Sequence, residues 1–274
     1  MASDWRIHTA QVAAQSDEDH IFVAGHTVVI LDGATSHRSI AGPTGGEYAA
    51  TLGAVLSAKI AGASEGSLVD ILESSIAQTI SNLQLPLRAL DAPSCTVAVV
   101  RENRRHQIES LVLGDTTVVV GRGDRTIAVQ TDTRLEDLGL SQSESYKSRL
   151  RSGSGYDNAH RQLLSELQLA QRDRRNRPGG YWIASTDPAA AHHSLTATYE
   201  ADEVGWVIMA TDGAIDGLEA LGISWGESAA ADSVELENLL RRASAWEATT
   251  DPAGSIRPRA KQHDDKTIAA IWLT

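Results

Sequence analysis

Apolar residues along the chain gather into short runs rich in Val and Ile, at 21–31, 95–100, 108–113, 116–120, 204–211 and 267–273. Runs of this length bounded by Gly, Asp and Ser predict strands buried on both faces. The close succession 108–113, 116–120 and 127–130 is joined by Gly114-Asp115 and Gly121-Arg122-Gly123-Asp124. It predicts an antiparallel meander whose turns are supplied by Gly and Asp. Helical spacing of Ala, Leu and Ile appears over 45–61 and 67–83, with no strand between them, and again over 233–246, where Ser233 is the expected cap. The order strand, helix pair, meander, strand, helix, strand lacks the steady alternation of a parallel doubly wound sheet. An α+β fold follows, with mainly antiparallel sheets flanked by helices.

No linker divides the 274 residues, so a single domain over 1–274 is expected. Its least core-like stretch is a polar, Arg-rich insert or flap at about 135–180, with a helical pattern over 158–171. No 20- to 50-residue repeat is evident. Charge narrows the partners. With 36 acidic against 24 basic residues the formal charge is −12, which disfavours nonspecific binding to nucleic acid or an anionic membrane. Cys95 is the lone cysteine, and neither a signal sequence nor a run of membrane-spanning length occurs, so a cytoplasmic location is expected.

Candidate chemistry lies where the apolar runs end. Val28-Val29-Ile30-Leu31-Asp32-Gly33 and Val207-Ile208-Met209-Ala210-Thr211-Asp212-Gly213 each deliver Asp-Gly at the end of a run. Leu113-Gly114-Asp115 does so with the glycine first, and Asp264-Asp265-Lys266-Thr267 opens the last run. A single Asp-Gly is ordinary turn chemistry. Four acids at strand ends, however, can converge, and converged carboxylates need cations, Mg²⁺ or Mn²⁺ being suited to oxygen ligands.

In this order, together with Asp17-Glu18-Asp19, these motifs resemble the PP2C (PPM) family of serine/threonine phosphatases across nearly the whole chain, in a divergent bacterial-type form. The resemblance implies a four-layer αββα sandwich holding two Mg²⁺ or Mn²⁺ ions. Asp32 would bridge both ions, Gly33 would offer its carbonyl, and Asp212 and Asp264 would hold one of them. Glu18 and Asp19 would serve the other, Asp115 would belong to a weaker third site, and Asp265, where the family usually has Asn, would support. The implied reaction is in-line attack on phosphoserine or phosphothreonine of a protein substrate by a water bridging the ions.

Two departures stand out. The family's Asp-Gly-His-Gly-Gly is here Asp32-Gly33-Ala34-Thr35-Ser36-His37, so His37 is the available stand-in for the histidine acid. Ala14 stands where a phosphate-binding arginine often precedes the Glu-Asp pair. That loss gives weight to a second reading, a noncatalytic PP2C-like module with a binding or regulatory role. The intact set of metal carboxylates opposes it. Arg172-Asp173-Arg174-Arg175-Asn176-Arg177 reads either as a solvated loop or as a guide for a phosphorylated partner. Cys95 and Arg101 have the spacing of a cysteine phosphatase, but the intervening Thr96-Val97-Ala98-Val99-Val100 is strand-like rather than a Gly-rich cradle. A haloacid-dehalogenase mechanism lacks its nucleophilic Asp, since Ile30 or Ala210 stands two places before each Asp-Gly.

Overall fold

The structure is a computed structural model that describes residues 4–14, 17–34, 42–62 and 66–273. Its strands are β1 (Trp5–Val12), β2 (Asp19–Val23), β3 (Thr27–Gly33), β4 (Cys95–Glu102), β5 (Gln107–Leu113), β6 (Thr117–Arg122), β7 (Arg125–Gln130), β8 (Leu195–Glu200), β9 (Trp206–Ala210) and β10 (Lys266–Leu273). The helices are α1 (Gly45–Gly62), α2 (Leu68–Asn82), α3 (Ser141–Arg151), α4 (Asn158–Arg172), α5 (Asp212–Leu221), α6 (Trp225–Ala230) and α7 (Ser233–Thr249). The strands form two five-stranded sheets, β1-β10-β9-β6-β7 and β2-β3-β4-β5-β8. All pairings within them are antiparallel.

Alternation along the central strands builds the layers. In β3, Val28 and Ile30 pack with Val207, Met209, Ala269 and Ile271 of the opposite sheet. Val29 and Leu31 face the other way, against Leu52 and Leu56 of α1 and Leu72 and Ile76 of α2. On the far side, Ile208, Ala210, Ile268 and Ala270 meet Leu218 of α5 and Leu236 and Leu240 of α7. A strand covered by a sheet on one face and a helix on the other must be apolar at every position, which is why these runs are continuous. The expected αββα arrangement is present. Helices α3 and α4 pack on each other through Tyr146, Leu150, Leu164 and Leu167, a small apolar cluster of their own.

Three sequence expectations change. The run 21–31 is two strands, because Ala24 and Thr27 exchange backbone hydrogen bonds around Gly25-His26 and close a hairpin. β5 and β6 do not pair as meander neighbours: β5 lies between β4 and β8, and β6 between β7 and β9 in the other sheet. Both strands are largely buried on both faces, so the pattern did not distinguish their sheets, and the link Gly114–Thr116 carries the chain from one to the other. Helix α7 is capped by Asp232, whose carboxylate accepts from Glu235 N at 2.9 Å while Glu235 accepts from Asp232 N at 2.9 Å. The Ser233 hydroxyl accepts from Thr9 N of β1 instead.

Candidate metal centre

Strand register brings the acids to one end of the sandwich. Asp19 faces Asp32 directly across the β2–β3 pair, and Asp32 faces Thr96 of β4. Opposed residues of antiparallel neighbours project to the same face. Since Ile30 points between the sheets, Asp32, two residues on, points there as well. In the other sheet Ala210 is opposite both Thr117 and Ile268. Asp115, Asp212 and Asp264 therefore all lie within a few residues of that level, at the matching end.

Local packing fixes each backbone. A Cβ on Gly33 would come within 2.6 Å of the Gly45 carbonyl carbon, so only glycine lets the end of β3 touch the start of α1. Gly33 N donates to Glu18 O at 3.1 Å, tying this point to the loop before β2. A Cβ on Gly213 would lie 2.2 Å from Asp265 O, so the Asp212 corner and the start of β10 are in backbone contact. Asp265 is buried, and its two carboxylate oxygens accept from Ala14 N at 2.5 Å and Glu18 N at 2.6 Å. It thus orients the Glu18 segment from the other sheet. Behind Asp264, fully buried Lys266 pairs with Glu247 at 2.8 Å and donates to Asp264 O at 3.0 Å, and His263 Nδ1 bonds the same Glu247 at 3.0 Å.

The carboxyls share one electrostatic environment. Burial above all, then the charges of Asp19, Asp212, Asp264 and Asp115, holds the Asp32 carboxyl well above the usual carboxylate range. Burial also pushes Asp19 up to about 7, with Thr211 opposing through a hydrogen bond to Oδ2 at 2.9 Å. Asp115 rises to about 7 through burial and the charge of Asp212. Asp264 rises to about 7 for the same two reasons, against the pull of Lys261. Burial is the main cause of each shift, and the like charges of neighbouring carboxyls add to it.

Glu18, Asp19, Asp32, Asp115, Asp212 and Asp264 are thus brought to one place. Asp212, exposed at the mouth, is the first residue of α5 rather than part of a turn. His37 lies outside the described residues. Sequence reasoning missed Asp216, whose carboxyl is pushed up to about 6 by burial and then by Asp212. It follows Asp212 by four positions, one helical turn, a relation visible only once α5 is known to start at Asp212. It also missed Lys261. That ammonium lies 2.7 Å from Asp264 Oδ1 and 3.5 Å from Glu18 Oε2, in a loop with no periodic signal.

The donor set suits a hard divalent cation. Every side-chain ligand offered is a carboxylate, and Asp19 Oδ1 is buried without a hydrogen-bond partner, a costly state that a cation would relieve. As the side chains stand, no three His, Cys, Asp or Glu residues among those described are spaced to hold a metal ion. Beside the acids opens a cleft of about 580 Å³, whose lining includes Glu18, Ala34, Leu90, Arg172, Arg175 and Tyr181. The arginines are held at its wall, Arg172 Nη1 by Asp91 at 2.9 Å and Arg175 Nη1 by Ala92 O at 2.9 Å.

Comparison with solved structures identifies the architecture. The chain resembles the PPM Ser-Thr phosphatase MsPP of Mycobacterium smegmatis at 15% identity and a TM-score of 0.56, with both chains covered in full. It has the PP2C (PPM) phosphatase fold. The serine/threonine phosphatase PstP/Ppp of Mycobacterium tuberculosis matches over 100% of this chain and 99% of its own at 15% identity and a TM-score of 0.51. Stp1 of Staphylococcus aureus matches over 100% and 97% at 10% identity and a TM-score of 0.55. No protein-family model and no curated protein matches. Within the PP2C fold, Cys95 is a buried strand residue whose thiol is held well above its usual range, by burial first, and Thr96–Val100 is strand as expected. No helix among the described residues is long and apolar enough to cross a membrane.

Proposed function

We propose that this protein is a divalent-metal-dependent phosphatase acting on phosphoserine or phosphothreonine in proteins. The observation that carries the reading is the gathering of six acidic side chains, from both sheets, at one end of a PP2C-type sandwich, with four of the carboxyls shifted towards or above neutrality. Carboxylates gathered at that cost have a use when they hold cations. Asp32, Asp212 and Asp264 would hold one Mg²⁺ or Mn²⁺, and Asp32, Glu18, Asp19 and the Gly33 carbonyl a second, with Asp115 available to a weaker third. Bound ions of this kind supply a water of lowered pKa and positive charge against phosphoryl oxygens.

The chain's own residues do the positioning. Asp265 and Thr211 set the Glu18 and Asp19 segment, Lys266 and Glu247 set Asp264, and the cleft wall offers Arg172 and Arg175 to a phosphorylated segment. In this reading 135–180, which includes the α3–α4 pair, forms the flap over that cleft within a single domain. The test is hydrolysis of para-nitrophenyl phosphate and a phosphothreonine peptide with Mn²⁺, with Mg²⁺ and with chelator. Metal-dependent turnover that falls at least about a hundredfold in Asp212→Asn, with the thermal midpoint little changed, is the expected result. No turnover by the folded, metal-loaded protein would instead favour the noncatalytic binding module.

A further inference from the structure

Lys261 introduces a positive charge into a cluster otherwise made of acids. Its ammonium is 2.7 Å from Asp264 Oδ1 and 3.5 Å from Glu18 Oε2. Those two acids come from opposite sheets, Asp264 just before β10 and Glu18 just before β2. One pair alone, three residues apart in a loop, would be an ordinary surface contact worth little. Contact with both sheets at once, with the lysine side chain only 27% exposed, makes it a crosslink over the mouth of the cluster. A lysine side chain is ordinarily an ammonium, and this one is in contact with two of the carboxylates assigned to metal.

A divalent ion drawn to Asp264 Oδ1 and Glu18 Oε2 competes there with the ammonium. Mg²⁺ needs carboxylate oxygen at about 2.0–2.1 Å, and two cations drawn to the same oxygens repel strongly at such range in a partly buried site. The lysine stem is flexible and partly open to solvent, so the ammonium can leave without disturbing a strand. We propose that Lys261 is a built-in cation of the acidic cluster, which holds Glu18 and Asp264 in the metal-free protein and must be displaced before a divalent ion can use them. This rests on the metal-centre reading above. It makes metal affinity a competition set by one side chain.

The test counts free Mn²⁺ by electron paramagnetic resonance during titration of metal-stripped wild type, Lys261→Gln and Lys261→Arg. Lys261→Gln should bind Mn²⁺ about threefold or more tightly, or bind one further ion, while Lys261→Arg stays like wild type. Smaller tightening, no change or weaker binding in Lys261→Gln overturns the proposal and leaves the metal centre standing. Absence of Mn²⁺ binding in all three chains overturns both. A measurement on wild type alone covers the case in which Lys261→Gln does not fold. Reductive methylation read by peptide mass spectrometry should label Lys261 faster when Mn²⁺ is present, and an equal or slower rate overturns the proposal.

Discussion

At the scale of single residues, the side chains that hold the cluster in shape are as consequential as the acids offered to metal. Asp265 satisfies two backbone N–H groups on a segment more than 240 residues away in sequence, at Ala14 and Glu18. Asp265→Ala leaves both without a charged acceptor, and the expected cost is about 2 to 4 kcal/mol, measured by denaturant titration. Because Glu18 loses its anchor, Mn²⁺ affinity should fall in the same variant, which a purely local defect would not cause. Arg175 differs in kind. It lines the cleft without touching the acids, so Arg175→Ala should raise KM for a phosphothreonine peptide several-fold and leave kcat/KM for para-nitrophenyl phosphate nearly unchanged. Equal losses on both substrates would place the arginine's effect on the site itself. Asp32, Asp115, Asp212 and Asp264 were legible in the sequence because each borders an apolar run, whereas Lys261 stands in a loop where neither periodicity nor spacing marks it.

At the scale of elements, two close backbone approaches decide how strands meet helices. Gly213 lets the start of α5 rest on Asp265 O, where a Cβ would be 2.2 Å away. Gly213→Ala must push these elements apart, and a loss of about 2 kcal/mol or more is expected by thermal unfolding, accompanied by reduced turnover. A stable, fully active Gly213→Ala would mean that the contact is not needed. Legibility at this scale followed burial. β4, β9 and β10, covered on both faces, were read directly from continuous apolar runs. The edge strands β1 and β8 were missed: β8 alternates exposed and half-buried positions and β1 carries Arg6, His8 and Gln11 among its apolar residues. An edge strand has one free side and weaker demands on composition, so its pattern fades into that of a loop.

At the scale of the whole molecule, the cluster couples stability to pH. Asp19, Asp115 and Asp264 have carboxyl pKa values near 7 in the folded protein and near 4 when unfolded. Between those values the folded state binds more protons, so stability falls as pH rises from about 4 through about 7. The metal-free protein should therefore melt at a lower temperature at pH 8 than at pH 5.5, adding to the self-repulsion of a chain with formal charge −12. Mn²⁺ should remove or reverse this slope, since it binds the ionised forms and releases their protons. A metal-free melting temperature that rises with pH over this range would show that the acids do not share one environment.

The sequence by itself determined the α+β class with antiparallel sheets and picked out the acids that border the buried runs. Continuous Val- and Ile-rich runs need cover on both faces, and Asp beside Gly at their ends has few roles other than a turn or a ligand. Only the tertiary structure decided which sheet each strand joins, as β5 and β6 show, and which distant groups complete the cluster. Register between strands far apart in sequence placed Asp19 against Asp32 and set Asp115, Asp212 and Asp264 at one level. The physical reason is range: periodicity reports what lies above and below a residue, whereas the Lys261 contacts, the Asp265 anchors and the shared electrostatic field arise from pairings between chain ends that no local pattern records.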